Sequence, residues 1–132
     1  MVSEKVINHK RLRKIEGSFS WIDHRFITDG FLEQLSTLEI LLYLFLVSVS
    51  DRNGISFYHD DRVCHLLKID LPSSGEAREG LIMRSLIAYE PPVYQVLSLP
   101  KRLVSPPPKE EFRQRERKRN LYHIQKIKEM LQ

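Results

Sequence analysis

Residues 36–58, STLEILLYLFLVSVSDRNGISFY, decide how this chain folds. Ser36-Thr37-Leu38-Glu39 has the form of a capping box. The Ser36 hydroxyl accepts from the amide three residues on, and Glu39 reaches back to the Ser36 amide. Leu38 to Val49 is apolar nearly all round, which predicts a central buried helix over 38–50. Asp51-Arg52-Asn53-Gly54 ends it, the Asn-Gly pair supplying the left-handed residue that such a stop requires. Ile55 to Tyr58 then reads as a short strand.

The same alternation of helix and stop signals continues outward. Asp60 or His59 caps a helix over 61–67. Lys68-Ile69-Asp70 is a tight turn with an apolar plug at Ile69. Asp70 or Ser73 caps the next helix, 72–85, and Pro72 falls in its first turn, where a missing amide does no harm. Ala77, Leu81 and Ile82 give that helix an inner face. Leu86–Tyr89 and Val93–Leu99 flank Glu90-Pro91-Pro92 as a hairpin, and the prolines disfavour further pairing at its tip. Upstream, 18–27 alternates in part, with Phe19 and Trp21 on one side, which predicts an edge strand. Asp29 caps a short helix over 30–35. Trp21, Phe26, Phe31, Leu41, Leu44, Phe45, Phe57, Leu66, Leu81 and Val96 are assigned to the core.

With 132 residues and an apolar fraction of 42%, the chain supports one small core. Its longest apolar run, Ile40 to Val49, is too short to span a membrane. No apolar segment of the secretory type follows Met1. The lone Cys64 makes no internal disulfide, so a reducing, cytoplasmic setting is expected. Charge is unevenly spread. Residues 1–16 hold five Lys/Arg against two Glu, 17–100 hold six against eleven Asp/Glu, and 101–132 hold ten against four. An acidic domain, 17–100, thus sits between a basic arm, 1–16, and a basic C-terminal helix, 109–132. The proline-rich linker 101–108 marks the second boundary, through Ser105-Pro106-Pro107-Pro108. Basic extensions suit a polyanion, most simply nucleic acid.

Helix 38–50, strand 55–58, helix 60–67, helix 72–85 and hairpin, in that order, resemble the winged helix-turn-helix domain of bacterial regulators and plasmid replication initiators. The pieces that carry the resemblance are Asp51-Arg52-Asn53-Gly54-Ile55-Ser56-Phe57, Leu66-Leu67-Lys68-Ile69-Asp70 and Arg84-Ser85-Leu86-Ile87-Ala88. They lie within Ser36–Leu99, about half the chain. The resemblance implies a mainly α fold with a small β-hairpin (α+β). It also implies sequence- or structure-specific binding of duplex DNA, as a transcription regulator or as an accessory factor of replication or transposition in a bacterial mobile element. Carried over residue by residue, it offers Ser73, Ser74, Glu76, Arg78 and Glu79 to the major groove. Arg78 would be bidentate to guanine and Glu76 would accept from cytosine, with Arg84 on phosphate. The chain departs from the family here. Two Glu face one Arg, Gly75 and Gly80 each weaken the helix by roughly 1 kcal/mol relative to Ala, and the hairpin tip is not basic.

Most affinity for DNA comes from neutralised phosphates, and the extensions supply those cations. Lys10, Arg11, Arg13 and Lys14 suit a minor groove or a backbone crossing. Arg113, Arg115, Arg117, Lys118 and Arg119 would hold the backbone from the C-terminal side. Leu121, Ile124, Ile127, Lys128 and Leu131 recur at helical spacing, which fits a homodimer or a protein partner on that helix. Two other readings stand beside DNA binding: an interaction subunit of a larger nucleoprotein assembly, docked through the acidic domain, and RNA binding through the basic tail. Catalysis finds little support. His59, Cys64 and His65 lack the second ligand pair that a structural zinc site needs. No glycine-rich phosphate loop exists, so no enzyme, metal or cofactor is expected.

Overall fold

The computed structural model describes residues 5–105 and 109–130, and within 109–130 the side chains of 117, 118 and 121–130. The described residues form five α-helices and a small antiparallel sheet, an α+β fold. In order they are α1 (Arg25–Thr28), α2 (Thr37–Val49), β1 (Ile55–Phe57), α3 (Asp60–Leu67), α4 (Leu71–Met83), β2 (Ile87–Glu90), β3 (Val93–Val96) and α5 (Lys109–Met130). The sheet order is β1-β3-β2, so the hairpin closes its sheet with a strand from before α3. Ile55 pairs with Gln95 on one side of β3, and Tyr89 with Tyr94 on the other.

α2 begins at the capping box. The Glu39 amide donates to Ser36 Oγ at 3.2 Å, and the Ser36 amide donates to Glu39 Oε1 at 2.7 Å. After α2, Asp51 Oδ1 accepts from the amides of Asn53 and Ile55 at 2.8 and 2.9 Å, which folds the chain into β1. Gly54 sits at φ +83°, and a Cβ there would strike the Val96 carbonyl. Only glycine meets both demands. α3 ends at Lys68 in the left-handed conformation. α4 follows at once, capped by Asp70 Oδ1, which accepts from the Ser73 amide at 2.8 Å.

α2 packs on α4, and the hairpin closes the other side. Leu42, Leu46, Val63, Leu81, Leu86, Ile87 and Tyr94 form the fully enclosed centre. Phe26 and Phe31 cover one end, and the Phe26 ring stacks on Tyr43 at 4.6 Å between centroids. Burying this apolar set supplies the main drive for folding, roughly 1.5–3 kcal/mol per large side chain.

The structure departs from the sequence expectation in three places. Residues 18–27 form no strand; their last part turns into α1. Asp23 Oδ1 accepts from the Arg25 amide at 2.9 Å and starts that helix instead. Residues 30–35 form turns rather than a helix, because Gly30 at φ +86° ends α1 and the Leu32 amide bonds back to the Phe26 carbonyl. Of the expected core, Phe26, Phe31 and Leu81 are buried and Phe45 and Val96 are partly so, but Trp21, Leu41, Leu44, Phe57 and Leu66 are exposed. In α2 the buried side is Glu39, Leu42, Tyr43, Leu46 and Val47. A helix apolar all round carries no periodicity to say which side that is.

Candidate nucleic-acid interface

α4 is the helix expected to read a groove. Its core side is Ser74, Ala77 and Leu81. At Gly80 it comes so close to α2 that an added Cβ would overlap the Glu39 carboxylate. These contacts decide which of its polar residues face solvent. Glu76 is exposed and Ser73 is half-buried. Ser74 and Glu79 are buried, so neither is the exposed contact expected of it. Ser74 sits one turn before Ala77 and Arg78, on the side turned to the core.

Arg78 is also engaged within the fold. Its Nη1 donates to Asp60 Oδ1 at 2.8 Å, and the side chain is 15% exposed. The guanidinium carbon lies 4.4 Å from the centroid of the Tyr89 ring. The Tyr94 hydroxyl is 3.5 Å from Nη1. Burial works against the Arg78 charge, yet Tyr94, Tyr89 and Asp60 together hold its pKa above the usual arginine value. Burial likewise pushes the Tyr89 phenol up to about 12, although Arg78 opposes the rise. Arg78 therefore serves as a charged pillar between α3, α4 and the hairpin, with Nη1 on Asp60 and Nε buried rather than turned outward to guanine. Asp60, read as a cap, is instead its counterion. His59 takes the N-cap position of α3, without a side-chain bond.

Arg84 is held in a similar way. Its Nε lies 3.7 Å from Glu39 Oε2, and both side chains are largely buried. One carboxylate thus completes the α2 cap with Oε1 and balances Arg84 with Oε2. The expected phosphate contact of Arg84 would require leaving that pairing. At the hairpin tip, Lys126 of α5 donates to Glu90 Oε1 at 3.0 Å. That bond to Glu90 is the first cause of a raised Lys126 pKa. A pair this exposed contributes little to stability, but it places α5 beside the tip.

The extensions contrast with α4. Lys10, Arg11, Arg13 and Lys14 are all exposed. A single 3-10 turn, His9–Arg11, orders them, with Asn8 Oδ1 accepting from the Lys10 and Arg11 amides at 3.0 and 3.2 Å. Among the described residues, Lys10, Arg11 and Arg13 make no ion pair, and Lys14 meets Glu16 only at 3.7 Å in full solvent. Arg117 and Lys118 of α5 are exposed too. Arg113, Arg115 and Arg119 belong to α5, and their side chains lie outside the described set. Leu121, Ile124 and Ile127 are exposed along the same helix.

Among the described residues, no three His, Cys, Asp or Glu side chains are grouped to hold a metal ion. No described helix is long and apolar enough to cross a membrane. Trp21 and Phe19 stand out as aromatic residues left in solvent. Their two-residue spacing fits a strand as well as an exposed aromatic surface, so no local signal in 18–23 separates the two. No protein-family model matches the chain, and no curated protein or solved structure matches it.

Proposed function

We propose that the chain is a winged helix-turn-helix protein that binds duplex DNA chiefly through its basic extensions. It would serve as a transcription regulator or as an accessory factor of replication or transposition. The order α2-β1-α3-α4-β2-β3 with sheet order β1-β3-β2 supports the fold reading. The observation that carries the function is the contrast in cations: Lys10, Arg11 and Arg13 are solvent-facing and, among the described residues, without carboxylate partners, whereas Arg78 and Arg84 are neutralised inside the fold. Phosphate contacts require cations of the first kind. On α4, Ser73 and Glu76 remain for base edges.

Fluorescence anisotropy with labelled duplex, single-stranded DNA and RNA tests this. Replacing Lys10, Arg11, Arg13 and Lys14 by Ala should lower duplex affinity on the order of a hundred-fold at moderate salt and flatten the log–log salt slope by about 3–4. An unchanged slope would remove the arm from the interface. Preference for RNA would favour the tail-led RNA reading. A second reading rests on a separate observation, the exposed Leu121, Ile124 and Ile127. These suit self-association through α5, which sedimentation at increasing concentration would detect.

A further inference from the structure

The segment ahead of α1 carries Phe19 and Trp21 on a two-residue repeat, and they are 69% and 71% exposed. Trp21 lines a cavity of about 250 Å³ between this segment, the end of α2, the turn at 51–54 and the exit from β3. Ser20 Oγ meets Ser50 Oγ at 3.4 Å and ties the segment to the end of α2. The lining joins the buried apolar residues Tyr43 and Val47 to the exposed polar residues Asp23 and Arg52. Tyr43 is stacked against Phe26. Its burial, and next the Asp23 charge, raise the phenol's pKa. The Arg25 amide fixes the Asp23 carboxylate. The cations Lys10 to Lys14 precede Trp21 by seven to eleven residues.

An exposed aromatic face, a carboxylate held by a backbone amide and an exposed cation, all lining one cavity, match a planar ligand with polar edges and an attached anion. The volume is below the roughly 300–1,000 Å³ of a drug-sized ligand pocket, which suits one base. We propose that this cavity takes a single unpaired nucleobase, with Trp21 stacking on it, Asp23 accepting from its N–H groups and Arg52 meeting the adjoining phosphate. Aromatic stacking serves every base. A carboxylate only accepts, so it favours guanine, whose imino and amino N–H groups lie side by side. Adenine and cytosine offer an amino group beside an acceptor, and uracil flanks its imino group with carbonyls. Guanine should therefore bind tightest and uracil weakest. This inference rests on the nucleic-acid reading of the arms.

Trp21 is the only tryptophan in the chain, so its fluorescence reports the site directly. The full chain is titrated with GMP, AMP, CMP and UMP, then with short single-stranded DNA and RNA that contain or lack guanine. Saturable quenching is expected, tightest for GMP. Asp23→Asn, which keeps an oxygen for the Arg25 amide, should narrow the preference for GMP over UMP about tenfold while near-UV circular dichroism stays native. Arg52→Ala should weaken all four nucleotides several-fold and alike. If no nucleotide or single strand quenches Trp21 while labelled duplex still binds, the cavity is not a base site and the arm reading stands. If no nucleic acid binds at all, both fail. A guanine preference that survives Asp23→Asn would overturn the role given to that carboxylate.

Discussion

Arg78 and Lys10 carry the same charge and were expected to touch the same ligand, but the fold treats them differently. Arg78 lies on a regular helix, 15% exposed, against Asp60, Tyr89 and Tyr94. Lys10 and its neighbours lie on a short turn in an extended arm, with water around them. A cation on a well-packed helix is close to many groups, and a nearby carboxylate readily claims it. A cation on an arm keeps its affinity for an outside anion, because no element is packed beside it. Location on the expected reading helix is therefore a poor guide to availability. Partnership within the fold is a better one.

The contrast breaks most sharply under paired substitution. Neutralising the four arm cations should cost the hundred-fold in duplex affinity given above, with thermal stability changed by no more than about 0.5 kcal/mol, as for exposed positions generally. Arg78→Ala should do the reverse. Removing it leaves Asp60 without its counterion and Tyr89 without its cation. The loss should be about 2 kcal/mol, below the roughly 3–5 kcal/mol of a fully buried pair because Asp60 keeps contact with solvent. Denaturant melts would read that loss, and duplex affinity below the melting range should hold within about twofold. A large affinity loss in a stable Arg78→Ala protein would return Arg78 to the interface.

A smaller effect sharpens the account of Arg84. Gly80→Ala improves helix propensity by about 1 kcal/mol, but the new methyl overlaps the Glu39 carboxylate. Displacing that carboxylate weakens both the α2 cap and the Arg84 pairing, and overpacking commonly costs about 1–3 kcal/mol. The net expectation is a loss of about 1 kcal/mol in a denaturant melt. A gain in stability would mean that Glu39 moves freely, and that Arg84 is available for phosphate after all.

Local chemistry was legible in the sequence where it decided the outcome. The capping box at Ser36, the stop at Asp51–Gly54, the start of α4 at Asp70 and the hairpin around Pro91-Pro92 all depend on residues within four positions of one another. Outcomes decided by long-range contacts leave no such local signal. Leu38 to Val49 is apolar on every side, so only the arrival of α4 and the hairpin separates buried Leu42 and Leu46 from exposed Leu41 and Leu44. Arg78 meets a carboxylate eighteen positions earlier and two tyrosines from a strand pair further on. The partial alternation of 18–27 predicts an edge strand that would carry Trp21 into the core. The turn of 18–23 into α1 leaves it at a cavity mouth instead.

The mildest test concerns how α4 is set in place. Asp70 caps the helix through the Ser73 amide, and bonding to Ser73 holds its carboxyl below the usual carboxylate range. The folded value is therefore lower than the unfolded one. Whatever stability the ionised cap contributes is complete above the unfolded carboxylate pKa, about 3.9. It fades as pH falls through the folded value, and nothing is lost between neutral pH and about 5. A carboxyl titration followed by NMR should put the Asp70 midpoint below that of a model peptide. Asp70→Asn keeps an oxygen for the Ser73 amide and removes the charge, so it should cap α4 while abolishing this share of the acid dependence. If Asp70 titrates at or above the peptide value, its carboxylate is not fixed on the Ser73 amide. The orientation of Ser73 and Glu76, the two α4 residues left for base edges, would then rest on the packing of α4 against α2, α3 and β2.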